Sequence, residues 1–413
     1  MQQLASAPRV ALFTDSYYEA NGVARTATAL EAFAWARDRA LLVIHGGDAT
    51  QMIESGSVIR LELARSRRSS FSLEHDLRFD LALWRHARRV AKVLQWFRPD
   101  VLHFTGPSDV GLLAVCLGRR GRIPMVGSWH TNIHEYASRR LLPSLESLGD
   151  RTRTRIGSAV ERHVLALTML FYSLPRVILA PNAEWRQSLE ARTKKPTFVM
   201  TRGVDTMLFT PARRTRTDGI VNIGYVGRLS TEKNVRALAA LQDALWGAGI
   251  VETRFTIVGD GCEREWLRRR LPGAEFTGVI RGERLADAYA NLDLFVFPSE
   301  TETVGNVVLE AMASGVPVLA MARGGTRFVA SSTNGALLAR DEKEFVDLGV
   351  QLVSDNLRRS RMSDAARETA QTRSWSAVFD VVYHAYDVAL AQTSREKQPL
   401  GGARAPIPAK QSA

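Results

Sequence analysis

Strand-length apolar runs alternate with helical patterns along this chain, and the alternation starts afresh near its middle, a pattern that calls for parallel sheets joined by crossover helices. In the first half, residues 10–13, 41–45, 101–104, 124–129 and 177–180 read as strands, and in the second half residues 220–225, 255–258, 275–277, 294–297 and 316–320 do. Between the halves, residues 210–219 are polar and arginine-rich and carry Pro211, as expected of an interdomain linker. The 413 residues are 45% hydrophobic, enough to build two or three domain cores. Each half opens with a strand running into a glycine-bearing loop, Asn21-Gly22 in the first and Gly224-Tyr225-Val226-Gly227-Arg228 in the second. Such loops let a ligand approach the backbone at the carboxyl ends of strands. Neither is a G-x-G-x-x-G fingerprint, and no period of solenoid length recurs.

Composition narrows the setting. Cys116 and Cys262 fall in different halves and follow neither ligand nor redox spacing, so reduced thiols in a cytoplasmic protein are expected, with no disulfide. The N-terminal apolar run is only of strand length, which does not make a signal peptide. Residues 164–174 are the most apolar segment, but Pro175 and Arg176 stop it well short of the roughly 20 residues a membrane span needs. The net charge of +12 is concentrated early: residues 1–205 hold 29 Lys and Arg against 19 Asp and Glu. No nucleic-acid-binding signature accompanies that charge. An anionic membrane surface or an acidic substrate suits it, as does a merely solvated arginine-rich surface. The candidate membrane contacts are Arg65-Arg67-Arg68, Arg139-Arg140 and Arg151-Arg153-Arg155. Residues 394–413 lack apolar periodicity and are expected to form a disordered tail.

The most informative stretch runs from Phe297 to Ala320. A buried strand ends at Pro298-Ser299, Val307, Val308, Ala311 and Met312 repeat at helical spacing, and Gly315 with Pro317 closes the helix. Glu302 then sits in the strand-to-helix loop, and Glu310 further along the helix. Amides at the helix start could hold a phosphate or other polar edge while the carboxylates accept hydroxyls, although a loop acid and a solvated helix acid would look the same. Pro298, Ser299, Glu302, Gly305, Leu309, Glu310, Ala311, Met312, Ala313, Ser314, Gly315, Pro317 and Val318 resemble the E-x7-E signature region of retaining glycosyltransferases of family 4. That resemblance spans residues 8–390 and implies an α/β GT-B fold, two Rossmann-like domains facing each other across a cleft. The expected division is an acceptor-side domain over 1–209, a donor nucleotide-sugar domain over 210–373, and a helix over 374–393 crossing back to the first domain.

Further segments carry the same resemblance. Gly227-Arg228-Leu229-Ser230-Thr231-Glu232-Lys233-Asn234 is similar to the family's G-R-L-x-x-E-K-N, which implies that Arg228 and Lys233 bind the donor diphosphate. Two fixed cations there would stabilise the charge left on the departing phosphate without an obligatory metal. Glu310 would bind the ribose, and Glu302 with the amides of Thr303, Val304 and Gly305 the donor sugar. Many relatives carry an aromatic residue at the Val304 position. Ser128-Trp129-His130-Thr131 resembles the family S-x-H-T, implying that His130 approaches the transferred sugar. From the residues alone His130 is equally a satisfied structural histidine, or, with His134 and Glu135, a zinc ligand, though the order H-E-x-x-H is absent. Thr14-Asp15-Ser16-Tyr17 and Asn21-Gly22-Val23-Ala24-Arg25-Thr26 look like the first loop of lipid-acting mannosyl- and sulfoquinovosyltransferases, without its proline, and would bring Gly22 near the donor phosphates. Asp205 is read as structural.

The resemblance implies a retaining, metal-independent hexosyltransferase with no cofactor, using GDP-mannose or a UDP-hexose as donor, with mannose the first choice of sugar and a lipid or glycan as acceptor. Front-face substitution, with the leaving phosphate helping to deprotonate the incoming hydroxyl, is the implied mechanism. The chain would be cytoplasmic and peripheral on the inner membrane face. The alternatives are a soluble transferase making a glycan or small glycoside, a nucleotide-sugar epimerase, and a silent nucleotide-sugar-binding protein.

Overall fold

The computed structural model of the chain describes residues 7–19, 21–66, 69–74, 77–130, 150–300, 305–330 and 335–397. The chain forms two compact units, Met1–Met200 with Phe379–Ala413, and Thr201–Val378.

Among the described residues the first unit carries an eight-stranded sheet of order β10-β9-β8-β7-β1-β2-β4-β3. The strands are β1 (Val10–Thr14), β2 (Leu41–Gly47), β3 (Gln51–Ser55), β4 (Val58–Ala64), β7 (Val101–Phe104), β8 (Met125–Ser128), β9 (Val177–Ala180) and β10 (Thr197–Val199), with β5 (Ser70–Glu74) and β6 (Leu77–Asp80) pairing separately as a hairpin. All five residues of β1 are buried, as in a parallel strand covered on both faces. It pairs in parallel with β2 and β7, with Val10 opposite Leu41 and Val101. Only β3 runs antiparallel within this sheet, at its edge, with every residue exposed. Strand order reverses direction between β1 and β7, so their carboxyl ends flank the switch point where α/β sheets bind ligands.

The long C-terminal helix, Trp375–Lys397, buries Phe379, Val382, Tyr383, Tyr386 and Ala389 along one stripe. From Phe379 on it belongs to the first unit, where Phe379 and Tyr383 pack on Phe33 with ring centroids 5.3 and 5.7 Å apart. Helical structure continues through Lys397, four residues into the expected tail; residues 398–413 lie outside the described residues.

The second unit holds a parallel six-stranded sheet of order β13-β12-β11-β14-β15-β16, again among the described residues. Its strands are β11 (Val221–Val226), β12 (Thr253–Val258), β13 (Glu275–Gly278), β14 (Leu294–Phe297), β15 (Val318–Met321) and β16 (Ala336–Ala339). This is the Rossmann order 3-2-1-4-5-6, with its switch point between β11 and β14.

The expected linker, residues 210–219, is instead fastened to this unit. Phe209 is buried in the second core, Arg214 bonds the Leu292 carbonyl and Asp293 at 3.0 and 2.7 Å, and Asn291 accepts from the Thr215 and Arg216 amides at 3.0 and 2.9 Å. The first unit therefore ends at Met200 and not at 209, and the second runs on to Val378. Inside the second unit Val204 bridges to Ser374, and the Asp205 carboxylate accepts from the Met207 and Leu208 amides at 3.0 and 2.9 Å, a local turn cap.

Candidate active site

In the first unit the loop leaving β1 is tied to itself. The Thr14 hydroxyl donates to the Ser16 carbonyl at 2.8 Å and the Asn21 amide to the Ser16 hydroxyl at 3.0 Å. Asn21 Oδ1 then caps the Val23 and Ala24 amides, so that Gly22 opens the helix Gly22–Ala36 beside the switch point. Asp15, leaving the same strand, accepts from the Thr105 hydroxyl at 3.1 Å, and burial pushes its carboxyl above the ordinary range.

His130 follows β8. Trp129 extends the strand through its amide bond to the Leu179 carbonyl at 2.8 Å and stacks on Trp185 at 4.4 Å, which fixes the backbone up to His130. His130 Nε2 lies 2.9 Å from the Ser128 hydroxyl. A small, mainly apolar cavity beneath the Gly22 helix has Leu12, Leu30, Phe379 and Val382 in its lining and also touches His103 and His130, so that helix and His130 lie near each other in this unit.

In the second unit, β11 runs into Gly227 and Arg228. The loop is locked by its neighbour: the Gly227 amide donates to the Val258 carbonyl at 3.0 Å and the Leu229 amide to the Asp260 carbonyl at 2.9 Å. A Cβ on Gly259 would stand 1.9 Å from the Gly227 carbonyl oxygen, and Gly259 has φ +134°, so glycine is required there on both counts. Thr231–Lys233 forms one 3-10 turn ended by Asn234 in the left-handed region. Glu263 braces it, accepting from the Thr231 hydroxyl at 3.1 Å and from Arg236 at 2.9 Å, and Arg236 holds its carboxyl below the ordinary range. Arg228 is paired with Glu232 at 2.9 Å, with side chains 73% and 49% exposed. An exposed pair of this kind is worth about 0.2–1 kcal/mol, so it holds Arg228 only weakly.

From β14 the chain reaches Ser299. Glu302, Thr303 and Val304 lie outside the described residues. Gly305, at φ 76°, caps the helix Asn306–Ala313. Glu310 on that helix is 4% exposed and accepts from the buried Tyr289 hydroxyl at 3.1 Å. Adjacent strands β11 and β14 thus bring the Arg228–Lys233 loop and the Glu310 helix to one switch point, with Tyr225 stacked on Phe297 beneath them at 6.1 Å.

Three features of the first unit escape the motifs. Arg65 is not a surface contact: its side chain is 6% exposed and pairs with buried Asp109 at 3.4 Å. Of the other expected membrane contacts only the Arg155 side chain is described, and it is exposed. A different basic face is present. The helix Ala87–Phe97 and the turn before it expose Trp84, Arg85, Arg88, Arg89, Lys92 and Trp96, and no acid occurs between Asp80 and Asp100. That acid-free run, with tryptophans at its two ends, is the signal that marks it. Lastly, Tyr386, which no motif contains, is joined through His103 to Ser128 by hydrogen bonds.

A model described as Glycosyltransferase Family 4 matches residues 20–208, and one described as Glycosyl transferases group 1 matches residues 221–355. The chain is 36% identical over 314 residues to a GDP-mannose-dependent alpha-mannosyltransferase of Mycolicibacterium smegmatis, covering 74% of this chain and 78% of that one. It is 30% identical over 398 residues to a protein of the same description from Corynebacterium glutamicum, covering 94% and 90%. Among solved structures, a sucrose-phosphate synthase from Thermosynechococcus elongatus superposes with a TM-score of 0.64 at 18% identity, over 93% of this chain and 100% of that one. At that identity the likeness speaks for the fold, and the fold is GT-B.

Proposed function

Because the chain belongs to glycosyltransferase family 4, we propose that it transfers mannose from GDP-mannose, with retention, to a lipid acceptor at an anionic membrane surface. The observation that carries the donor half is the Arg228–Lys233 loop at the switch point of the second sheet, in a chain whose relatives are described as GDP-mannose-dependent. Arg228 and Lys233 would take the diphosphate and stabilise it as it leaves, Glu310 would take the ribose, and Gly305 with the amides that follow it would face the sugar. Gly22 and His130 would serve from the first unit, with His130 bonding a hydroxyl of the transferred sugar. Glu302 would join the donor-sugar contacts. No step in this scheme asks for a metal or an enzymic nucleophile; the leaving phosphate takes the acceptor proton.

The acceptor half is supported by the helix Ala87–Phe97. Its four nearby cations, Arg88, Arg89, Lys92 and Arg98, and the exposed indoles of Trp84 and Trp96 suit anionic headgroups and the interfacial zone. No helix among the described residues is long and apolar enough to cross a membrane.

Thermal unfolding with GDP, UDP, ADP and their sugar conjugates tests the donor. GDP and GDP-mannose should raise the transition by several degrees and Arg228→Ala should abolish most of that rise; a stronger response to UDP would replace the donor. Anomeric analysis of the product by NMR tests retention.

A further inference from the structure

We propose that His103 and Tyr386 are positioning residues that hold His130 neutral with its proton on Nδ1, through a buried hydrogen-bond chain Tyr386–His103–Ser128–His130. This rests on the reading of His130 as a sugar contact of the transferase.

The chain of contacts is continuous: Tyr386 hydroxyl to His103 Nδ1 at 2.7 Å, His103 Nε2 to Ser128 Oγ at 2.8 Å, and Ser128 Oγ to His130 Nε2 at 2.9 Å. Its polarity follows from counting protons. Burial raises the Tyr386 hydroxyl well above its ordinary pKa, so it keeps its proton, and among the described residues His103 is its hydrogen-bond partner. Tyr386 therefore donates to Nδ1, which must be the bare nitrogen of the ring. Burial also pushes the His103 pKa down to about 3, so this ring is neutral and its single proton is on Nε2. That proton goes to Ser128 Oγ. The Ser128 hydroxyl then donates onward, to His130 Nε2 at 2.9 Å in preference to the Phe104 carbonyl at 3.4 Å.

The opposite polarity would leave the fully buried Tyr386 proton without an acceptor, a penalty that decides the direction. The Ser128 carbonyl is engaged too, accepting from the Tyr172 hydroxyl at 2.8 Å, which fixes the backbone that carries the Ser128 side chain. An imidazole that accepts a hydrogen bond at a bare Nε2 is neutral and carries its one proton on Nδ1. Toward the sugar His130 would act as a fixed dipole, with Nδ1–H as its donor.

The test is long-range 1H–15N NMR of the full chain labelled at histidine, with His130 assigned through His130→Gln. Nε2 of His130 should resonate as a bare nitrogen and Nδ1 as a protonated one. Tyr386→Phe keeps the ring and removes the hydroxyl, so both tautomers of His103 become accessible. The His130 signals should move toward a tautomeric average, and kcat for GDP release from GDP-mannose should fall about threefold to tenfold at unchanged KM. In the His130→Gln background the same change should have no further effect on kcat. Ser128→Ala is the second variant and should free the tautomer in the same way if Tyr386→Phe folds poorly. A protonated Nε2 in the unaltered protein, or an unshifted spectrum in both variants, would overturn the proposal. If instead His130→Gln itself turns over normally, the role of His130 in transfer fails while the NMR result stands on its own.

Discussion

His103 offers the sharpest test at the scale of a single residue, because it is 3% exposed and its pKa is pushed from 6.5 down to about 3. A histidine buried neutral is protonated more easily when unfolded. Above pH 6.5 neither state binds the proton and the stability it allows is fully present; between pH 6.5 and 3 the unfolded chain binds it and the folded chain does not, so stability falls on acidification. We expect His103 to contribute a slope of about 1.4 kcal/mol per pH unit in that window, absent from His103→Gln. Urea unfolding of both proteins between pH 7 and 4 measures the difference, and parallel profiles would refute it. The contrast with the Gly227–Asn234 loop explains what a sequence discloses. Arg228 and Lys233 stand out in the sequence because strand, glycine and cations are contiguous there. Tyr386 and His103 are 283 positions apart, and only the packing of the last helix joins them.

At the scale of elements, the strands that could be read end to end are those wholly buried, such as Val101–Phe104, Val177–Ala180 and Leu294–Phe297. Gln51–Ser55 was illegible because it is an exposed edge strand held only by pairing with β4, and Ala336–Ala339 because four small and aliphatic residues carry no period of their own. The helix Ala87–Phe97 carries its signal on the outside. Val90, Leu94 and Phe97 anchor it, leaving its cations on the other face. Each cation near an anionic surface contributes about 1 kcal/mol, and reversing one removes an attraction and adds a repulsion. Arg88→Glu with Lys92→Glu should therefore lower binding to phosphatidylglycerol vesicles by at least a hundredfold at low salt, leaving folding and GDP binding intact. Co-sedimentation against phosphatidylcholine vesicles measures this; equal binding by both proteins would remove the helix as the docking face.

At the scale of the whole molecule, the two units are built on the same plan but share one helix, which begins in the second and ends in the first. The first unit is thereby incomplete over residues 1–200. It needs Phe379, Val382, Tyr383, Tyr386 and Ala389 to cover Phe33 and the rim of the sheet, and Arg37 to pair with Asp380 at 2.8 Å. Each large apolar side chain buried is worth about 1.5–3 kcal/mol, so the stripe contributes an amount comparable with the roughly 5–15 kcal/mol by which a domain is stable. The core of the second unit includes Val204, Phe209 and the helix Asn356–Thr372 within its own boundary. Ending the chain at Val378 should accordingly abolish the calorimetric transition of the first unit and leave that of the second. If the donor phosphates are held by Arg228 and Lys233, GDP at a hundred times its Kd should still stabilise the surviving transition by about 2.7 kcal/mol. A shortened chain that unfolds as the full one does would show that the first unit closes without the helix. A surviving transition deaf to GDP would mean that the nucleotide needs residues of the first unit, which would shift the search for its partners to Gly22 and His130.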